Sequence, residues 1–157
     1  MSERAGLVIG VGNAHRGDDG VGPAVARRLE SLAPDGVTVI GHGGEAADLV
    51  ERFSQAEFAI LIDAAAWRRE AGAVHRFDAA AEPLPAALFG ASTHGLGIPE
   101  AIELARALGR LPAHCVVFAV EGSDYEPGTP LSAQVQAAVE PAVQRVLDEL
   151  RALASRP

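Results

Sequence analysis

Short apolar runs alternate along this chain with segments whose apolar residues recur at helical spacing, and that order restricts it to an α/β fold on a mainly parallel sheet. The expected strands are Leu7 to Val11, Val37 to Gly41, Phe58 to Asp63, Ala73 to Phe77 and Cys115 to Val120. Several read as continuous apolar runs, the pattern of strands covered on both faces. Between them, Val21, Val25, Leu29 and Leu32 line one face of a first helix, with Pro23 tolerated in its first turn. Leu49, Val50 and Phe53 mark a second helix. Ile98, Ile102, Ala105 and Leu108 mark a third, opened by Pro99 and closed by Gly109. Val135, Val139, Ala142, Val146 and Leu150 line a last helix, which Pro141 is expected to kink or split because it lacks a backbone donor.

The link from Asp63 to Ala73 is too short for a parallel crossover. The Ala73 to Phe77 strand should therefore run antiparallel near an edge of a mixed, twisted five-stranded sheet. The stretch from Asp78 to Ser92, rich in Ala and Pro, reads as an irregular surface connection. All 157 residues fit one domain, residues 1–157. Aromatic residues make up only 4%, which points to close helix–sheet packing by small side chains.

A formal net charge of -8 disfavours nucleic acid, whose phosphates are bound by Lys and Arg. It suits a basic partner surface or a metal ion. The single cysteine, Cys115, lies in an apolar run and reads as a core residue that cannot form an internal bridge, which fits a reducing compartment. The start of the chain leads into a strand without a signal-peptide apolar region, and no run approaches membrane-spanning length, so the expected location is cytoplasmic.

The loop Gly10-Val11-Gly12-Asn13-Ala14-His15-Arg16-Gly17-Asp18-Asp19-Gly20-Val21-Gly22 joins the first strand to the first helix. Glycines in such a turn suggest a dinucleotide, but His15 fills the third glycine position of that fingerprint and His42-Gly43-Gly44 stands where a ribose-binding acid would lie. Asp18 and Asp19 would also repel a pyrophosphate. One aspartate is enough to cap a helix. Two adjacent carboxylates are tolerated best with a cation or solvent between them, and Asp18 is expected to be the more structural and Asp19 the more functional.

Ligands of such sheets gather beyond the carboxyl ends of the parallel strands. That rule selects Asp19 after the first strand, His42 after the second, Asp63 at the end of the third and Glu121 at the end of the fifth, with the loop Ser92-Thr93-His94-Gly95 able to fold over the same edge. A buried Asp63 would need a partner or a metal, whereas an exposed one would be a strand-end acid or a cap. His94 is open to similar alternatives. Two carboxylates and one imidazole together suit a zinc- or nickel-like divalent ion. His15, His75 and His114 have weaker claims, and Arg16 reads as a loop residue pairing with an acid or a substrate carboxylate. The sequence has no HExxH and no GxSxG motif.

Four segments in this order resemble the nickel-iron hydrogenase maturation endopeptidases: GVGNAHRGDDGVG after the first strand, LIDA at Leu61 to Ala64, THGLGI at Thr93 to Ile98 and EGSDYEPGTPLS at Glu121 to Ser132. The resemblance implies a three-layer α/β/α sandwich and an enzyme that removes a C-terminal extension from a hydrogenase large-subunit precursor after nickel insertion. It further implies that Asp19, Asp63 and His94 form the catalytic, metal-contacting set, with the nickel carried by the precursor and no nucleotide involved. The chain departs from the family at His42-Gly43-Gly44-Glu45, where members often carry an acid before the two glycines and a threonine after them. Two other classes use some of the same features. A non-catalytic metal-binding or chaperone-like protein would release the precursor unchanged, and a peptidyl-tRNA hydrolase would need a basic surface that this acidic chain lacks.

Overall fold

Strand β3, Phe58–Ala65, forms the middle of the sheet because nearly every residue in it is apolar and buried. In the computed structural model, which describes residues 5–66, 69–89 and 97–156, β3 lies between β1 (Gly6–Val11) and β5 (His114–Glu121), both parallel to it. Strand β2 (Val37–His42) pairs in parallel with the outer side of β1, and β4 (Val74–Asp78) pairs antiparallel with β5. The order is β2-β1-β3-β5-β4, so the sheet is five-stranded, mixed and mostly parallel, as the sequence implies. The antiparallel strand lies at the edge, and its short link from β3 explains why. Its polar sequence, Val-His-Arg-Phe-Asp, suits a strand with one unpaired side.

The alternation of side chains along each strand divides the core in two. Val8, Ile60, Ile62, Val116 and Phe118 face helices α1 (Val21–Leu29) and α4 (Ala133–Ala154). Leu7, Ile9, Leu61, Val117 and Ala119 face α2 (Ala46–Phe53) and α3 (Ile98–Ala107). Each fully buried Leu, Ile or Phe on these faces contributes about 1.5–3 kcal/mol of transfer free energy, which makes the two apolar layers the main source of stability. Hydrogen-bonded ion pairs fasten the edges. Arg76 of β4 binds both carboxylate oxygens of Glu149 on α4, at 2.8 and 3.1 Å, and His114 reaches the same carboxylate at 3.1 Å.

Four local expectations need correction. Helix α1 ends at Leu29, and Leu32 lies beyond it, 42% exposed, because the apolar spacing continues for one turn past the point where the helix stops. Leu108 likewise follows the end of α3 and is 54% exposed. Pro141 does not split the last helix, which runs as one element of 22 residues. Its ring faces solvent, while Val139, Ala142, Val143 and Val146 hold both halves against the sheet. The connection after β4 is irregular but not confined to the surface: Ala79, Leu84 and Phe89 are buried in the core beneath α3.

Candidate functional site

The loops after β1, β2 and β3 open on the same edge of the sheet and enclose a cavity of about 60 Å³. That volume has room for a metal ion or a water or two. Asp19 and Asp63 both line it, together with Arg16, Gly44 and Tyr125.

Asp19 sits in a single 3-10 turn, Gly17–Gly20, that runs directly into α1. Its carboxylate accepts the Asn13 N–H at 2.9 Å, which closes the loop upon itself. Gly12 makes that closure possible: its φ is +142°, and a Cβ there would lie 2.0 Å from the Asp19 carbonyl oxygen. Gly22 allows the helix to approach the strands, since a Cβ would meet the Val11 carbonyl at 2.3 Å and the Ile62 carbonyl at 2.6 Å. The glycines of this loop thus serve a tight turn and close strand–helix contact.

Asp63 continues the row of Ala59 and Leu61 on the α2/α3 face, so strand periodicity carries a carboxylate to the end of an apolar row. Burial pushes its pKa well above the ordinary value of 3.8, the Asp19 charge pushes in the same direction, and one hydrogen bond from Ala64 N–H at 2.8 Å does not offset them. The Asp19 charge therefore opposes the ionisation of Asp63, and a cation between the two carboxyl groups relieves that opposition.

Tyr125 completes one wall. Its hydroxyl donates to the Ala65 carbonyl, and burial, followed by the charges of Asp18, Asp63 and Asp19, raises its pKa so that it stays a neutral phenol. Arg16 Nε donates to the Tyr125 carbonyl at 3.1 Å. Sequence reasoning gave Tyr125 no role of its own. The only signal was its place in the Glu121 to Ser132 segment.

Asp18 turns away from the cavity. Neither the 3-10 turn nor α1 has a side-chain cap, so the capping reading does not hold. Asp18 is instead fully buried and accepts Ser123 N–H at 2.8 Å, Asp124 N–H at 3.0 Å, Ser132 N–H at 2.7 Å and the Ser132 hydroxyl at 2.9 Å. Burial would raise its pKa, but these hydrogen bonds outweigh it and hold the carboxyl below its ordinary value. Asp18 clamps the segment after β5 against the loop after β1.

The other candidates are dispersed. His42 ends β2 and is bound by Asp48 of α2, with Nε2 2.6 Å from Oδ2. Glu121 is buried at the end of β5, accepts Arg69 N–H at 3.4 Å and Glu70 N–H at 3.3 Å, and has His75 Nε2 at 3.4 Å. It lines a second hollow with His75, outside the Asp19–Asp63 cavity. His114 belongs to the Glu149 cluster and His15 is exposed. His94 lies outside the described residues. Among the described residues no group of three His, Cys, Asp or Glu side chains is placed to hold a metal ion, so the described donor set at the cavity is the Asp19–Asp63 pair. No helix in the described residues is long and apolar enough to cross a membrane.

Comparison with solved structures defines the class to which this fold belongs, the peptidases that mature hydrogenases. The hydrogenase maturating endopeptidase HybD of Escherichia coli shares 29% identity, with a TM-score of 0.78 over 93% of this chain and 91% of its own. The maturation protease HycI of Thermococcus kodakarensis, at 20% identity and a TM-score of 0.72, covers 96% of this chain and 95% of its own and shares the fold. In sequence, the hydrogenase 2 maturation protease of Escherichia coli K12 is 28% identical over 148 residues, 92% of this chain and 90% of that protein. The profile of the HycI hydrogenase maturation protease family matches residues 23–149. The chain belongs to the hydrogenase maturation protease family, in agreement with the resemblance read from its four segments.

Proposed function

We propose that this chain is the endopeptidase that removes the C-terminal extension of a nickel-iron hydrogenase large-subunit precursor once nickel has been inserted, and that it recognises the nickel already held by the precursor. The observation behind this reading is the shared cavity of Asp19 and Asp63, in which burial and the neighbouring charge press Asp63 toward its neutral form. A docked cation reverses that pressure, so the site has an electrostatic preference for a substrate that brings one. Asp19 and Asp63 are the proposed oxygen ligands, and His94 is the proposed nitrogen ligand. Mixed carboxylate and imidazole donors suit nickel.

Docking of the ion would fix the scissile peptide beside the carboxylates. Water then adds to the scissile carbonyl and the C–N bond breaks. One product ends in a new carboxylate, and the released peptide begins with the amine that takes up the proton. The protein binds no nucleotide in this scheme. Its net charge of -8 suits a protein partner over nucleic acid, and its free Cys115 suits the cytoplasm.

The test is the intact mass of nickel-loaded and nickel-free precursor after incubation with the protein. Loss of one C-terminal peptide from the loaded form alone is expected. Equal cleavage of both would remove nickel from the recognition step, and no cleavage of a matched loaded precursor would favour a binding role without catalysis.

A further inference from the structure

We infer that His42 is a positioning residue that sets the Gly43–Gly44 wall of the cleft, an inference that rests on the proposed peptidase function. The imidazole is buried to 8% exposure and is fixed from both sides. Nδ1 accepts the Gly44 N–H at 2.8 Å, so it bears no proton. The ring proton is therefore on Nε2, which faces Asp48 Oδ2 at 2.6 Å. Asp48 is itself held by Arg52 Nε at 2.7 Å, one turn along α2. The His42 carbonyl accepts the Gly12 N–H at 2.9 Å, so one residue ties both loops that flank Asp19.

The consequence lies in what those loops line. Gly43 and Gly44 line the cavity, a Cβ built on Gly43 would meet nothing within 4 Å, and the hydrogen bond from Gly44 N–H to the imidazole anchors this segment to the end of β2. A helix residue, Asp48, thus dictates the tautomer of a strand-end histidine, and that tautomer dictates where the wall stands. The wall flanks the acids without contacting them through His42, so its displacement weakens peptide binding more than the chemical step.

The experiment compares wild type, His42→Ala and His42→Asn on nickel-loaded large-subunit precursor, with amide hydrogen exchange of Gly44 measured on each free protein. His42→Ala is expected to raise KM about tenfold with kcat within about twofold of wild type, and to lose protection at Gly44. His42→Asn, whose Oδ1 takes the place of Nδ1 as acceptor, is expected to restore Gly44 protection and most of the KM. An unchanged KM in His42→Ala, or a failure of His42→Asn to restore Gly44 protection, overturns the inference while leaving the peptidase function in place. A precursor left whole by wild type overturns the proposed function and this inference with it.

Discussion

Asp18 and Asp19 are neighbours in the chain and serve opposite sides of one loop. Asp18 is sealed in a ring of donors from residues 123–132, whereas Asp19 looks into the cavity that it shares with Asp63. The 3-10 turn between Gly17 and Gly20 separates their directions. A doubled carboxylate therefore combines a structural clamp with a site acid, and the two roles respond differently to substitution.

Asp18→Ala should destabilise the fold by about 3 kcal/mol, since it removes the buried carboxylate that accepts three part-buried N–H groups and the Ser132 hydroxyl. Thermal unfolding should fall by roughly 6–12 °C. The folded carboxyl has a pKa below its unfolded value of 3.8, so its stabilisation is present above that value and is lost as pH falls through the folded one. Urea unfolding of Asp18→Asn at several pH values should accordingly show a shallower acid limb than wild type.

Asp63→Asn should act in the opposite sense. The folded pKa of Asp63 is raised, so over the interval above 3.8 the native state binds more protons than the unfolded chain and stability falls as pH rises. The neutral isostere removes that loss. It should stabilise the free protein at neutral pH by on the order of 1 kcal/mol, roughly 2–4 °C, while abolishing cleavage, as calorimetry and a cleavage assay would show.

Gly12→Ala should lose at least about 2 kcal/mol and most of the activity together. Its methyl group would collide with the Asp19 carbonyl, and its φ of +142° strains any L side chain. Unfolding by urea and precursor cleavage are the two readouts. A stable, active variant would show that the turn over Asp19 is not built as described.

Cys115 should resist thiol reagents in the native state. It is buried, and that burial pushes its thiol up to about 12, so almost no thiolate is present at pH 8. Titration with a disulfide reagent should show no rapid reaction until denaturant is added. A fast-reacting native thiol would show that Cys115 is not sealed in the core as described.

The layered fold was legible because buried parallel strands advertise themselves as apolar runs, and the short Asp63 to Ala73 link betrayed the antiparallel edge. Helix ends were less so: Leu32 and Leu108 keep the apolar rhythm of helices that have already stopped. At the site, the carboxyl-end rule selected Asp19 and Asp63 from the strand order alone, and the structure brings both to one cavity. The same rule also selected His42 and Glu121, whose side chains are taken by Asp48 and by the backbone of residues 69 and 70. The partners of Asp18 lie 105–114 residues away, and no local pattern reveals contacts of that range. Tyr125 enters the cavity by the same long-range folding of the segment after β5 onto the loop after β1.

The most direct test of the central claim is the intact mass of a nickel-loaded large-subunit precursor after incubation with wild type and, in parallel, with Asp19→Ala. The account predicts loss of a single C-terminal peptide with wild type and an unchanged mass with the variant, whose fold Asp18 still secures. Equal cleavage by both proteins would contradict the assignment of the Asp19–Asp63 cavity as the active site.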